Sequence, residues 1–172
     1  MKGSATEADQ VRESLKKMLA QGQASATAHF LLGVDAWQNK KVEEARLHWE
    51  RSHELAPQFL GVTNNLAWVL STGPNADLPR ALKLVDLAID QSSGELKARF
   101  RGTRGHVLLQ MKRWKEALAD LEAGLLIHAN DADLHRDLAA VYTALGVPDQ
   151  AAEHAQRAKE IAEKERRRPG SG

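Results

Sequence analysis

Small and apolar residues recur along the chain at intervals typical of paired helices. The stretches HFLLGVDAW, NNLAWVL, RGTRGHVLL and HRDLAAVYTAL share a small residue at one position, namely Gly33, Ala67, Gly105 and Ala139. A second set follows 12, 14, 12 and 12 residues later: Ala45, Ala81, Ala117 and Ala151. Larger apolar side chains flank both sets at the spacing of one helical face. The pattern predicts two helices, A and B, repeated four times.

Small residues at these positions have a physical reason. Where helix A crosses helix B, only glycine or alanine lets the ridges of one helix settle into the grooves of the other at a short distance. The sequence therefore predicts that the first and second sets face each other within each helix pair. Trp49, Val85 and Leu121, four residues after the second small position, are expected to fill the space around the crossing.

One stretch interrupts the pattern. Residues 64–82, NNLAWVLSTGPNADLPRAL, contain two prolines and a glycine where a helical hairpin is expected. We expect Gly73 to end helix A, Asp77 to cap helix B, and Pro79 to lie in the first turn of helix B, where its missing N–H costs nothing. The two extra residues explain the step of 14, and a similar excess lies in DQSSGEL. The sequence thus predicts a lengthened turn, either a spacer or a loop over a binding surface beside Trp68.

This register resembles the tetratricopeptide repeat, a unit of about 34 residues that forms a helix–turn–helix. The resemblance is carried by the Leu-Gly or Leu-Ala pair of helix A, the alanine of helix B, Pro57 at the end of the first unit, and Trp114 three residues before Ala117. Arg104 and Pro148 depart from the pattern at single positions.

The resemblance implies an all-α fold, a right-handed α-solenoid. The expected repeats are residues 26–59, 60–97, 98–131 and 132–165, after an N-terminal half repeat at residues 7–22. Residues 1–6 are expected to be a tag or disordered. Residues 166–172 are expected to be a basic tail that ends in residues left by cloning.

Composition narrows the function. The chain has 172 residues, a formal net charge of +1 and no cysteine. The charge balance argues against nucleic-acid binding, and the absence of cysteine removes disulfides and thiolate metal sites. No apolar run is long enough to insert into a membrane, and no export signal precedes the repeats. We favour a cytoplasmic protein, or a periplasmic one if a leader has been removed.

Chemical motifs are few. There is no HExxH, no glycine-rich phosphate loop and no G-x-S-x-G. His48 and His53 are five residues apart, a spacing that does not place both on one face of a helix. Satisfied or solvated histidines are expected, and neither a metal, a cofactor nor a catalytic activity is predicted.

The resemblance implies that the A helices line a concave groove that binds a peptide or a protein. Nine residues, called the groove residues below, are carried over to it by position: Phe30, Val34, Trp37, Asn64, Trp68, Arg99, His106, Leu109 and Arg136. Trp37 and Trp68 have two readings, since each can either contact a partner or pack on a neighbouring ring or helix. For Trp68 we favour packing over partner contact. For Trp37 the two interpretations are equally favoured. Trp49 and Trp114 are expected in the core.

The basic stretch KARFRGTRGH contributes to the same surface. Arg99 and His106 are seven residues apart on one helical face, and with Arg136 they could bind an acidic side chain or a C-terminal carboxylate. Arg104 is instead expected to pair with an acid of the preceding repeat, Asp86 or Asp90, whereas Arg101 is expected to be solvated.

One subset of the resembled family grips the C-terminal carboxylate of chaperones through a set of Lys, Asn and Arg side chains. Asn65 and Arg99 match that set, but Phe30 and Val34 occupy two of its positions. Binding of chaperone tails is therefore not expected.

The sequence as a whole predicts a non-enzymatic protein-interaction module or scaffold. Two alternatives stay open. The array could self-assemble through the exposed apolar ends of the solenoid, especially Val11, Leu15 and Met18, or it could be the regulatory or targeting segment of a larger enzyme.

Overall fold

The computed structural model describes residues 7–22, 24–73 and 75–167. The predicted tag at residues 1–6, the end of the predicted tail at residues 168–172, and Pro74 of the lengthened turn lie outside this part. Over the described residues the secondary structure consists of nine α-helices: α1 Glu7–Ala20, α2 Ala26–Gln38, α3 Val42–Leu55, α4 Leu60–Leu70, α5 Leu78–Asp90, α6 Gly94–Gln110, α7 Trp114–Leu125, α8 Ala132–Ala144 and α9 Pro148–Arg166.

Three of the predicted helix pairs are present. Helices α2 and α3, α6 and α7, and α8 and α9 pack together, as expected for the A and B helices of the first, third and fourth repeats. Helices α4 and α5 cover the stretches predicted as the A and B helices of the second repeat, and α1 covers the predicted half repeat. The chain divides into two compact units, residues 1–69 and 70–172, which are described separately below.

The first unit is built around Gly33 and Trp49. Trp49 is buried, and a Cβ at Gly33 would meet its indole ring at 2.4 Å. The small residue is therefore required for α2 to approach α3, as the sequence predicts. Ala45 is fully buried, and the Ser52 hydroxyl donates a hydrogen bond of 2.7 Å to the carbonyl oxygen of Ala26.

The second unit repeats this arrangement. A Cβ at Gly105 would lie 2.6 Å from Leu121, which is fully buried on α7. Leu121 and Ala117 join α6, α8 and α9 side chains in one core that includes Leu138 and Val141. Trp114, expected in this core, is only half-buried, because as the first residue of α7 it lies at the end of the hairpin.

The turn between α4 and α5 has the predicted cap of α5, whereas α4 ends at Leu70 and not, as predicted, at Gly73. Gly73 has a φ of +79°, a value that side chains disfavour. The Asp77 carboxylate accepts a hydrogen bond of 3.1 Å from the Arg80 amide, and Pro79 lies in the first turn of α5. The Asp77 amide donates to the Leu70 carbonyl at 2.8 Å, which closes the turn.

Three of the A helices are followed, at the same repeat position, by a residue whose backbone has the left-handed conformation. Lys40 after α2 and Lys112 after α6 both have a φ of 60°, and Gly146 after α8 has a φ of 75°. In each case the following amide donates to a carbonyl five residues back, as in a Schellman motif. The repeat register thus extends to the backbone conformation of the turns.

An ion pair connects helix α1 to α2. The Arg12 guanidinium donates to the Asp35 carboxylate at 2.7 and 2.9 Å and also binds Asp9. None of the described helices combines the length and the apolar character that crossing a membrane would require.

Candidate functional site

Three groove residues lie on one face of α2 in the first unit. Phe30, Val34 and Trp37 follow the i, i+4, i+7 spacing of a single helical face, and all three are half-buried. The Phe30 ring packs against Phe59, with ring centroids 5.1 Å apart. The structure therefore brings these apolar side chains together on a surface that keeps part of each in contact with solvent.

Trp37 packs on a neighbouring ring, which is one of its two predicted roles. Its ring lies 6.0 Å from the Trp49 ring, at an angle of 39°. Trp49 is held in turn by a hydrogen bond of 3.3 Å from its Nε1 to the Phe30 carbonyl oxygen. Trp37 thus packs on a neighbouring helix with one side while its other side is exposed, so its orientation is fixed before any partner arrives.

Asn64 and Trp68 are the groove residues of α4. Trp68 is half-buried, whereas Asn64 is buried, with 7% of its surface exposed. The Asn64 Oδ1 atom is itself buried and accepts no hydrogen bond in the structure. A buried acceptor without a donor carries a cost in stability, and native proteins contain few of them.

A cleft of about 450 Å³ runs between α1 and α2. Val11 and Leu15 line it from α1, and Leu31 and Val34 line it from α2. Val11 and Leu31 are exposed. The apolar face of the half repeat is therefore only partly covered.

In the second unit, the predicted carboxylate site is not assembled as expected. His106 is buried, and its Nδ1 lies 2.8 Å from an Asp137 carboxylate oxygen on α8. Arg136 forms an ion pair with Asp133 on its own helix. Arg99 is exposed, and among the described residues it forms no ion pair. Of the three predicted groups, His106 is buried, Arg136 is exposed but paired within its own helix, and Arg99 is exposed without an ion pair among the described residues.

The fourth groove residue of this unit, Leu109, is half-buried against the core. Close to it along α6, His106 and Gln110 line a cleft of about 290 Å³ together with Ser71, Thr72 and Gly73 of the lengthened turn. The lengthened turn therefore lies against the A helix of the third repeat.

Two arginines of α6, Arg101 and Arg104, form ion pairs within the protein. Arg104 binds Asp86 of the preceding repeat at 3.0 Å, as predicted, and also Asp120 at 2.5 Å. The hydrogen bonds to Asp120 and Asp86 raise the pKa of Arg104. The prediction that Arg101 is solvated is wrong, because it donates to Asp120 at 2.8 Å and to the Ala119 carbonyl at 3.0 Å.

Two histidine pairs were not predicted. The Nδ1 atoms of His29 and His48 lie 3.1 Å apart, and those of His135 and His154 lie 2.8 Å apart. Both pairs join an A helix to its B helix across 19 residues, the separation that also relates Arg101 to Asp120. The signal was present in the repeat register, but comparing His48 with His53 on its own helix misses it.

The histidine, arginine and acidic side chains described above mainly bind one another. Within the described ranges, no three His, Asp or Glu side chains are placed so that they could hold a metal ion. The surfaces that remain for a partner are the half-buried aromatic face of the first unit and the exposed Arg99 of the second.

Comparison with known proteins identifies the fold. No protein-family model and no curated protein matches the chain in sequence. Among solved structures it is similar to a chain of the APC/C hetero-tetramer Cut9–Hcn1, with a TM-score of 0.71 and 22% identity over 88% of this chain and 30% of that one. It is also similar to MamA AMB-1 (TM-score 0.65, 20% identity, 92% of this chain and 93% of that one) and MamA MSR-1 (0.62, 22%, 92% and 90%).

The chain thus spans less than a third of the length of the Cut9–Hcn1 chain and nearly all of the MamA chains. These neighbours have the tetratricopeptide-repeat fold, and the likeness shows that this chain has it too. The predicted fold class, an all-α solenoid of helix–turn–helix repeats, is confirmed.

Proposed function

We propose that the protein is a non-enzymatic scaffold that binds an extended peptide segment on the A-helix faces of its repeats. The observation that carries this proposal is Asn64. Its buried Oδ1 atom lacks a hydrogen-bond donor, and the residue lies at a position carried over to the groove. If the Asn64 side chain turns toward the groove, a backbone N–H of a bound peptide can reach this atom, supply the donor and remove the cost of the unpaired acceptor.

The aromatic side chains of the same unit support the proposal. Trp37 and Phe30 are held by contacts with Trp49 and Phe59, so they lose little conformational freedom when a partner covers them. Fixed, partly exposed aromatic rings are frequent among the residues that dominate protein interfaces. In the second unit, Arg99 supplies a positive charge for an acidic side chain of the partner.

The test uses peptides selected from a display library on the wild-type protein, since the natural partner is not needed to examine the surface. Asn64→Ala is expected to weaken binding of the selected peptides by about tenfold, the effect of losing one hydrogen bond to a buried group. Gln91→Ala, which removes an exposed amide at the end of the B helix α5, is the control and is expected to bind normally. Equal affinity of the two variants would overturn the assignment of Asn64.

The same titration followed by NMR adds a direct readout. The four indole N–H signals report on each tryptophan separately. Binding on the A-helix face is expected to shift the signals of Trp37 and Trp68 and to leave that of Trp114, on the B helix α7, in place.

Self-assembly is a second candidate, favoured by α1. Val11, Met18 and Leu19 on this helix are exposed, although they are apolar. If these side chains pair between chains, the molecular mass measured by light scattering rises with concentration and Val11→Glu abolishes the rise. A mass that stays that of a monomer would exclude this candidate without affecting the first.

A further inference from the structure

Two histidine pairs occupy the same position in the first and last repeats. His29 and His135 are each the fourth residue of their A helix, and their partners His48 and His154 lie on the B helices. The rings are tilted against each other, with centroids 5.4 and 5.1 Å apart. His29 and His135 are buried. Each pair is therefore the polar contact that joins the two helices of its hairpin at this level.

The geometry restricts the protons that a pair can hold. Two Nδ1 atoms at hydrogen-bond distance need one N–H donor and one bare acceptor. The His135 Nε2 atom lies 3.2 Å from the Ala129 carbonyl oxygen, which can only accept, so Nε2 carries hydrogen. Neutral His135 then has a bare Nδ1, and His154 donates to it. If both rings are protonated, two donors and two positive charges face each other across 2.8 Å.

The groups around each histidine pair determine the direction in which the histidine pKa values shift. Burial lowers the pKa of His154, and the neighbouring His135 lowers it further, while Glu153 on α9 and Glu122 on α7 act weakly in the opposite direction. Tyr142 stacks on His154 at 5.5 Å, and its hydroxyl donates to Glu122.

In the first repeat, burial likewise lowers the pKa of both His29 and His48. His48 and Arg51 lower that of His29 further, whereas Glu44 partly raises that of His48. The lowered pKa values mean that the folded hairpins bind fewer protons than the unfolded chain below about pH 6.5. The stabilisation is therefore present above pH 6.5 and is lost as the pH falls through the folded pKa.

The third repeat provides an internal contrast. At the same two positions it has Arg101 and Asp120, which form an ion pair and contain no imidazole. In the second repeat the first position is Thr63, whose hydroxyl lies 3.1 Å from His53 on α3. Only the first and last repeats carry two imidazoles at these positions.

We propose that the two histidine pairs are acid-sensitive contacts that hold helix A on helix B in the first and last hairpins near neutral pH and release it when both rings of a pair are protonated. The third hairpin, which has an ion pair instead, stays closed. His106 on α6 opposes the opening of α8, because its Nδ1 atom lies 2.8 Å from the Asp137 carboxylate on that helix. The proposal concerns the hairpins alone and does not depend on peptide binding.

Hydrogen exchange of the full chain tests the proposal. Protection factors, corrected for the intrinsic effect of pH on exchange, are compared at pH 7.5 and 5.0. Amides of α2 and α8 are expected to lose about tenfold or more in protection, because two protonated rings at this distance lose their hydrogen bond and repel each other. Amides of α6 are expected to change much less. A fall of equal size in all three helices would overturn the proposal.

The matched variant transplants the ion pair of the third repeat. His135→Arg with His154→Asp is expected to remove the pH dependence of α8 and to leave that of α2 unchanged. If this double variant does not fold, His154→Gln keeps a side chain of similar size that does not titrate, and the same result is expected for it. A pH dependence of α8 that persists in the folded variants would refute the role of the pair.

Discussion

Gly33 and Trp49 approach each other so closely that α2 has no room for a side chain at this position. A Cβ at Gly33 would lie 2.4 Å from the Trp49 Nε1 atom, and the hydrogen bond from that atom to the Phe30 carbonyl prevents the ring from moving away freely. The short distance between the A and B helices of the first repeat is thus possible because Gly33 has no side chain.

Gly33→Ala is therefore expected to destabilise the protein although alanine favours helices. Overpacking costs about 1–3 kcal/mol, which outweighs the gain of about 1 kcal/mol in helix propensity. Gly61→Ala is the control, because its nearest neighbour outside the helix backbone is a Phe59 ring atom at an ordinary 3.4 Å. Urea unfolding should show Gly61→Ala as neutral or stabilised. The same loss in both variants would contradict the role of the close contact.

Lys112 offers a gain in stability. It adopts a φ of 60° at the position where the fourth repeat has Gly146. Left-handed backbone costs a residue with a side chain about 1 kcal/mol, so Lys112→Gly is expected to raise the free energy of unfolding by up to about that amount. Gly146→Lys should lower it, and thermal unfolding measures both. A change in the same direction for the two variants would disprove the equivalence of the two turns.

Asp120 is the buried acid that binds two arginines. Its side chain is 4% exposed, whereas those of Arg101 and Arg104 are 34% and 29% exposed. Asp120→Asn is expected to cost about 2–3 kcal/mol, less than the 3–5 kcal/mol of a fully buried pair, because solvent reaches the arginines. Asp86→Asn, at a site 46% exposed, should cost less than about 1 kcal/mol. Chemical denaturation distinguishes the two, and equal losses would mean that burial of Asp120 does not matter.

The attachment of α1 should depend on pH in the acid range. The hydrogen bond donated by Arg12 lowers the pKa of Asp35 below its ordinary 3.8. The contact therefore stabilises α1 at pH values above 3.8 and is lost as the pH falls through the folded pKa. Asp35→Asn is expected to reduce the exchange protection of α1 amides at pH 7. Glu13→Gln, which removes an exposed pair within α1, serves as the control and should leave protection unchanged.

Peptide binding should depend on groove residues of each unit. Trp37→Ala and Arg99→Ala are each expected to weaken binding of selected peptides about tenfold or more, while circular dichroism at 222 nm stays close to that of the wild type. Trp114→Ala controls for the loss of an indole outside the A helices. Normal binding by both groove variants would refute the groove hypothesis.

The spacing of small residues was sufficient to predict the helix pairs, because Gly33 and Gly105 have to be small wherever two helices approach this closely. The caps at Asp77 and Pro79 could be predicted for a similar reason, since they depend on neighbours within one turn. Local geometry and the repeat register carry this information directly in the sequence.

Polar partners were harder to predict. Arg101 is predicted to be solvated from its position on α6 alone, whereas its partner Asp120 lies on the other helix of the same repeat, 19 residues away. The histidine pairs follow the same relation. Such contacts connect two helices, so they become visible only when the positions of all repeats are superimposed. Among the groove residues, the engagement of His106 with Asp137 required knowledge of the next A helix.

The turn at residues 71–77 has a practical consequence for engineering. Its ends are joined by the hydrogen bond from the Asp77 amide to the Leu70 carbonyl, and the helix after it carries its own cap. Because lengthening a loop whose ends are already held together adds little entropic cost, a reporter domain or an affinity peptide can be inserted here with the neighbouring helices intact. The stretch in which two prolines interrupt the repeat pattern is thus the position at which the array accepts new sequence.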